Sequence, residues 1–116
     1  MDVKLRKYED IYIVDVNGDM DLYNTPTLKD LLAKMVQKQV TKFVINVKNV
    51  DYIDSSGVGT LINFYAEVRQ KKFQFCLANV AGTVQKVLTL TKLDSFFPSA
   101  ASVDEAVLLI KSSSNN

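Results

Sequence analysis

Two segments near the start of the chain have the hydrophobic pattern of strands. Apolar and basic residues alternate over residues 3–6, and a second, mostly apolar segment covers residues 11–16. Period-two alternation is typical of a strand with one exposed face. Glu9 and Asp10 lie between the segments and suit a turn. The pattern therefore predicts an antiparallel hairpin.

Helical spacing of apolar residues appears in four later segments. They predict helices over residues 26–39, from about 58 to 71, around 84–88, and from 102 to 110. Thr25 precedes Pro26 in the arrangement of an N-cap followed by proline at the first helical position. Ser102 and Glu105 have the spacing of a capping box, which opens the last helix.

Two nearly continuous apolar segments, residues 42–47 and 73–78, are typical of strands covered on both faces. Strands that alternate with helices over such short connections predict an α/β fold, in which about four helices pack on a mixed sheet of four to five strands. We expect one domain over residues 1–111 and a frayed tail over residues 112–116.

The amino-acid composition limits the functions that this chain can have. The chain has 116 residues, of which 47% are hydrophobic, so it can close one core. It contains no histidine, which excludes Ser-His-Asp and Cys-His catalysis, and its only cysteine, Cys76, lies in an apolar segment typical of a core thiol. We expect no metal and no organic cofactor.

Charge and hydropathy give no sign of a nucleic acid or membrane partner. The 14 Lys and Arg nearly balance the 13 Asp and Glu along the chain, so we expect no direct nucleic acid binding. No apolar run approaches the roughly 20 residues that span a bilayer, and no signal peptide is recognisable. We therefore expect a cytoplasmic protein without membrane insertion.

The segment from Asp54 to Gly59 joins a predicted buried strand to a predicted helix. Loops at the carboxyl ends of strands in an open α/β sheet form the surface that meets ligands and partners, so Ser55 and Ser56 are expected there. One serine could simply cap the helix, in which case its replacement by alanine costs about 1 kcal/mol. Two hydroxyls followed by Gly57 and Gly59 exceed what one cap requires.

A helical projection places Ser56, Gly59, Thr60 and Asn63 on one stripe without a long charged side chain. Such a smooth stripe allows another protein to approach closely, although it could equally be a solvated face. Phe64, on the same side of the helix, is either an exposed anchor or packed beneath a loop.

The run from Asp54 to Gly59 after an apolar strand resembles the phosphorylation segment of bacterial anti-sigma factor antagonists, which are single STAS domains. Residues 18–21 resemble the family's Gly-Glu-Leu/Ile-Asp turn, with Asp19 and Met20 as departures, and residues 80–97 resemble its third-helix region. The resemblance implies a STAS domain over residues 1–111. It also implies that an anti-sigma factor that is a serine kinase phosphorylates Ser55, with Ser56 as the second choice.

The same resemblance implies that Asp21 helps to bind this kinase, although Asp21 could instead be an ordinary turn residue. The predicted function is a non-enzymatic switch that releases a sigma factor while unphosphorylated and is reset by a PP2C-type phosphatase. The predicted partner-binding residues are Asp21, Asp54, Ser56, Gly57, Gly59, Thr60 and Asn63. Two alternatives stay open, namely a STAS adaptor subunit that is never phosphorylated and a small-ligand or nucleotide-binding module.

Overall fold

A computed structural model describes residues 1–113, which form five strands and four helices. The strands are β1 (Asp2–Tyr8), β2 (Ile11–Met20), β3 (Lys42–Ile53), β4 (Gln74–Ala78) and β5 (Ser99–Ala100). The helices are α1 (Thr25–Gln37), α2 (Ser55–Gln70), α3 (Gly82–Leu90) and α4 (Val103–Ser113). None of these helices is long and apolar enough to cross a membrane.

The strands form one mixed sheet in chain order, from β1 to β5. The β1–β2 pair is antiparallel and the other three pairs are parallel. The predicted α/β architecture and the N-terminal hairpin are confirmed. β5 was not predicted because two residues are too few to show alternation. A hydrogen bond of 2.8 Å from the Leu77 amide to the Pro98 carbonyl anchors it beside β4.

Helices cover both faces of the sheet. α1, α2 and α3 contribute to a large core with the sheet residues Val14, Phe43 and Ile45, whereas α4 packs on the opposite face against a smaller cluster that includes Ile13 and Cys76. The predicted core thiol is confirmed, since Cys76 is buried, and this burial raises its pKa to about 11. Protonation suits a thiol that packs rather than reacts.

β3 continues six residues beyond its predicted end at Val47 and reaches Ile53. Its later part has no partner in β4, which ends opposite Asn46, and pairs with β2 alone. Two register shifts in this β2–β3 pairing interrupt the side-chain alternation, which explains why the sequence pattern stopped early. The extension matters because it carries both strands to the candidate site.

Two predicted boundaries are wrong. Thr25 is the first residue of α1, and the N-cap is Asn24, which makes no side-chain capping bond. The Asn24 side chain is instead bonded to the Asp21 carboxylate, at 2.8 Å, and to the amino terminus. At the other end, Ser112 and Ser113 belong to α4 rather than to a tail. The rest of the predicted tail, residues 114–116, lies outside the described residues.

A polar network crosses the α4 face of the sheet beyond the end of that helix. Arg6 donates two hydrogen bonds to the Asp15 carboxylate, at 2.6 and 2.9 Å, and Asn46 donates a third at 2.7 Å. Burial opposes ionisation of Asp15, but the bonds from Arg6 and Asn46 hold its pKa below the ordinary value. Because the pKa of Asp15 is lower in the folded state, its ionised carboxylate stabilises the fold above about pH 4. This contribution to the free energy of unfolding is lost as the pH falls through the lowered pKa.

Candidate functional site

The carboxyl ends of β2 and β3 bring two loops side by side. Met20 and Ile53, the last residues of these strands, are paired in register. The next residue after β3, Asp54, donates its backbone N–H to the Met20 carbonyl at 3.2 Å. Asp21 and Asp54 therefore begin two adjacent loops, which places both predicted acidic site residues at one edge of the sheet.

Asp54 is the N-cap of α2 and also ties the two loops together. Its Oδ1 accepts hydrogen bonds from the backbone N–H groups of Ser56 and Gly57, at 2.9 and 3.2 Å. Its Oδ2 accepts from the N–H of Leu22, in the β2–α1 loop, at 3.3 Å. Asp54 therefore shapes this edge of the sheet, and its contact with a partner stays a prediction. The prediction that a serine caps this helix is wrong, because a stronger acceptor lies one residue earlier.

Ser55 is the first residue of α2 and its side chain is exposed. Within residues 1–113, its hydroxyl makes no hydrogen bond. The cost of about 1 kcal/mol expected for a lost cap therefore does not apply to Ser55→Ala. Ser56 is less accessible, being half-buried with its carbonyl bonded to the Thr60 hydroxyl at 2.8 Å. Of the two candidate acceptors, Ser55 presents the more open hydroxyl.

Position 57 requires glycine because α2 packs closely against the strands there. It is buried, and a Cβ at this position would lie 2.4 Å from the carbonyl oxygen of Met20 and 2.8 Å from the Ile53 side chain. Such separations are well inside van der Waals contact, so only glycine allows α2 to approach the strands this closely. The close packing at Gly57 thus has a structural reason, and its contact with a partner stays a prediction.

Thr60 and Phe64 also face inward. Thr60 is buried and its hydroxyl donates to the Ser56 carbonyl one turn earlier, while its contact with a partner stays a prediction. Phe64 is buried as well, with its ring packed edge-on against that of Phe43 at a centroid distance of 4.9 Å. The exposed-anchor alternative for Phe64 is therefore excluded.

The outer face of α2 is shifted by one residue from the predicted stripe. It comprises Ser55, Gly59, Ile62, Asn63 and Ala66, all exposed or half-buried. A Cβ added at Gly59 would meet nothing within 4 Å, so this position is open to solvent. Gly59 and Asn63 keep their predicted place on the surface, and their contact with a partner stays a prediction. The face remains uncharged and continuous with the Ser55 hydroxyl.

Asp21 organises the β2–α1 loop. Its Oδ1 accepts hydrogen bonds from the N–H groups of Tyr23 and Asn24, at 3.1 and 3.0 Å, and from the Asn24 side-chain amide. Its backbone carbonyl accepts the N–H of Thr25 at 2.9 Å. The turn role of Asp21 is confirmed, and its role in partner binding stays a prediction.

Three exposed apolar side chains that the sequence analysis missed border this edge. Leu22 and Tyr23 are 64% and 87% exposed in the β2–α1 loop, and Tyr52, near the end of β3, is 49% exposed. We call these three residues the apolar rim. A cluster of exposed apolar side chains often marks an interaction site, whereas a single exposed one is ordinary. The sequence feature that could have predicted this rim is a leucine next to a tyrosine in a turn, where small polar residues are usual.

The same edge is rich in carboxylates. Asp19, Asp21, Asp51 and Asp54 all lie at or just after the ends of β2 and β3. Among the residues that the structure describes, no His, Cys, Asp and Glu side chains form a group of three or more that could hold a metal ion. An anion added at this edge would lie near carboxylates of like charge.

Comparisons with known proteins agree on the fold. The model of the STAS domain family matches residues 2–106. An anti-sigma-B factor antagonist of Staphylococcus epidermidis is 26% identical over 93 residues, which cover 80% of this chain and 86% of that protein. A solved anti-sigma factor antagonist from Mycobacterium paratuberculosis superposes with a TM-score of 0.86 at 22% identity, covering 95% of this chain and 93% of that one.

The fold is also similar to that of SpoIIAA, an anti-sigma factor antagonist. Its unphosphorylated form matches with a TM-score of 0.80 at 20% identity, covering 96% of this chain and 97% of that one. Its phosphorylated form, from Bacillus, matches with a TM-score of 0.71 at 19% identity, covering 91% and 96%. With this shared fold and a family model that matches nearly all of the described residues, the chain belongs to the STAS domain family.

Proposed function

We propose that this STAS domain is an anti-sigma factor antagonist that phosphorylation of Ser55 switches off. The observation that carries the proposal is the exposed Ser55 hydroxyl at the start of α2, next to a loop whose apolar side chains point outward. Similarity to known antagonists supports the same function, since the anti-sigma-B factor antagonist from Staphylococcus epidermidis aligns with most of this chain.

In the unphosphorylated state, the binding surface combines the apolar rim with the uncharged outer face of α2. Leu22 and Tyr23 supply the largest apolar side chains of this surface. Asp54 fixes their loop relative to Ser55 through its bond to the Leu22 amide. Because these groups are already held in place, the anti-sigma factor can bind without first ordering the loop.

The phosphoryl group on Ser55 would project outward rather than settle into the helix N-terminus. Asp54 already accepts the amides of Ser56 and Gly57, and its carbonyl accepts that of Val58 at 3.0 Å. With these donors occupied, a group of about −1.5 to −2 charges stays on the surface among the carboxylates of the strand ends. It adds bulk and negative charge where the partner docks.

This mechanism needs no change of fold. Both the unphosphorylated and the phosphorylated SpoIIAA have the fold of this chain, which supports a switch that acts at the surface. The partner is an anti-sigma factor with serine kinase activity, whose bound nucleotide is itself anionic and is repelled by the phosphoserine. A PP2C-type phosphatase removes the phosphoryl group. The cycle takes place in the cytoplasm, and the antagonist itself catalyses no reaction.

Matched substitutions at the two serines test the proposal. Ser55→Asp should weaken binding of the anti-sigma factor from the same cells by about tenfold, because one added negative charge at a docking surface costs roughly 1.4 kcal/mol. Full phosphorylation should weaken binding by about a hundredfold. Ser55→Ala should bind like the unmodified protein and accept no phosphoryl group from ATP. Binding is measured by titration calorimetry.

Ser56→Ala and Ser56→Asp serve as controls, since Ser56 lies one residue away and is half-buried. Transfer of phosphate to Ser55→Ala but not to Ser56→Ala would assign the acceptor to Ser56 instead. A stable complex that is indifferent to Ser55→Asp would favour the constitutive adaptor. A rise in melting temperature with nucleotide on the isolated domain would favour the ligand-binding alternative.

A further inference from the structure

The outer edge of β4 is only partly covered by β5. β5 pairs with the last two residues of β4, Leu77 and Ala78. From Gln74 to Cys76, β4 has β3 on one side and, among the described residues, no strand on the other. A strand edge without a neighbour presents backbone N–H and C=O groups that are not paired within the sheet. The first part of β4 is therefore an open edge.

The open edge leaves the backbone of Phe75 unpaired. Successive residues of a parallel strand bond alternately to its two neighbours. The Gln74 N–H donates to the Thr41 carbonyl, on the β3 side, at 2.8 Å. The Leu77 N–H donates to the Pro98 carbonyl, on the β5 side, also at 2.8 Å. Phe75 is two residues before Leu77, so its N–H and C=O point to the β5 side, where residues 1–113 offer no backbone partner. In this register the Phe75 carbonyl faces Pro98, which has no N–H to donate.

A cleft of about 270 Å³ lies at this open edge. α2 forms one wall with Val68 and Arg69, α4 forms the other with Leu109 and Ile110, and Phe75 lies between them. Since α2 and α4 pack on opposite faces of the sheet, the cleft continues the plane of the sheet beyond β4. Phe75 is buried, and unpaired backbone groups in buried positions are rare because they cost free energy. The cleft thus has the shape and the free hydrogen-bonding groups to accept one more strand.

The charge of the cleft indicates which side chains such a strand carries. Its lining includes no Asp or Glu, and its one charged residue is Arg69. The Arg69 guanidinium lies over the Tyr65 ring, 5.5 Å from its centroid, and forms no ion pair within residues 1–113. The rest of the lining is mainly apolar, and on the α4 side it includes the half-exposed Leu109. An acidic side chain therefore suits the α2 wall, and an apolar side chain suits the α4 wall.

We propose that this cleft binds an extended segment of a partner protein in which acidic and apolar residues alternate. The segment adds to β4 as a strand, and its backbone pairs with the N–H and C=O of Phe75. Because successive side chains of a strand point to opposite faces, one acidic side chain meets Arg69 while its apolar neighbour packs on Leu109. Backbone pairing supplies affinity, and these two contacts supply specificity for the acidic-apolar pattern.

The cleft is far from the candidate site at Ser55. Phe75 pairs with Phe43, near the start of β3, whereas Ser55 follows the end of that strand at Ile53. The ten residues from Phe43 to Ile53 span about 30 Å along the strand. A segment bound in the cleft therefore leaves Ser55 accessible, and the two surfaces can bind different proteins. We expect Ser55→Asp to leave binding in the cleft unchanged.

NMR titration of the isotope-labelled full chain with the peptide acetyl-Ile-Glu-Ile-Glu-amide tests the pairing. The Phe75 amide proton should shift downfield as peptide is added, and its exchange with solvent deuterium should slow at least about tenfold. The Gln74 amide is the internal control, since it is already bonded to Thr41. The same peptide with methylated backbone nitrogens should bind at least about tenfold more weakly, because it cannot donate to the Phe75 carbonyl.

A charge substitution tests the wall of the cleft. Arg69→Gln should weaken binding of the acidic peptide about tenfold but leave the affinity for acetyl-Ile-Gln-Ile-Gln-amide unchanged. Lys86→Gln is the matched control, since it removes an exposed positive charge from α3, outside the cleft. Three results would overturn the proposal, whatever the outcome at Ser55: no shift of the Phe75 amide up to millimolar peptide, equal affinity for the methylated peptide, or unchanged acidic-peptide binding by Arg69→Gln. The first would mean that water alone occupies the cleft.

Discussion

Gly57→Ala is expected to destabilise the domain by about 3 kcal/mol, as judged from the usual cost of overpacking a core. The added Cβ would lie 2.4 Å from the Met20 carbonyl oxygen, which is backbone and cannot rotate away. The same oxygen accepts the N–H of Asp54, so any shift that relieves the clash also weakens the link between β2 and the start of α2. The free energy of unfolding in urea measures the effect.

Gly59→Ala is the matched control for this substitution. Both glycines lie in the first turns of α2, but a Cβ at Gly59 meets nothing within 4 Å. Because alanine is a better helix former than glycine by up to about 1 kcal/mol, Gly59→Ala should leave stability unchanged or raise it. Equal stability of the two variants would show that close packing against Met20 is not what requires glycine at position 57.

The second large effect concerns binding. Replacing both Leu22 and Tyr23 by alanine should weaken binding of the anti-sigma factor at least about thirtyfold, because truncating a central apolar anchor of an interface typically costs about 2 kcal/mol or more. Neither side chain belongs to the core, so the free energy of unfolding should change little. Titration calorimetry measures the dissociation constant, and urea unfolding measures the stability.

Leu90→Ala is the control for the apolar rim. Leu90 is as exposed as Leu22, but it is the last residue of α3, which begins after the carboxyl end of β4 and runs back toward the other edge of the sheet. Its removal should leave the dissociation constant within about twofold. If the Leu22 and Tyr23 variant binds as tightly as the wild type, the partner does not dock on this rim.

Local patterns in the sequence predicted most of the fold. Helical spacing located α1 through Leu28, Leu32 and Met35, all of which are buried. The elements that escaped prediction depend on tertiary contacts. β5 exists only because two residues lie beside β4, and the end of β3 is held by an irregular pairing with β2. Neither contact leaves a periodic signal in the chain itself.

Sequence reasoning located the edge of the sheet that carries the candidate site, but not which residues of α2 face solvent there. Sequence reasoning brought Asp54 and Ser55 to the rim of the sheet, but it could not fix the residue at which α2 begins. One residue is about 100° of rotation on a helix. With Asp54 as the N-cap, Ser55 faces solvent and Thr60 faces the core, so the exposed stripe moves by one position. The reason for Gly57 lies in Met20, a residue of another strand, which no local pattern reveals.

Peptide mapping of the protein purified from its own cells tests the central claim most directly. Intact mass reports whether a phosphoryl group is present, and fragmentation of peptides that cover residues 49–69 assigns it to one side chain. The account predicts one phosphoryl group on Ser55 in a fraction of the molecules that changes with growth conditions. Absence of phosphate under all conditions, or phosphate confined to Ser56, would contradict it.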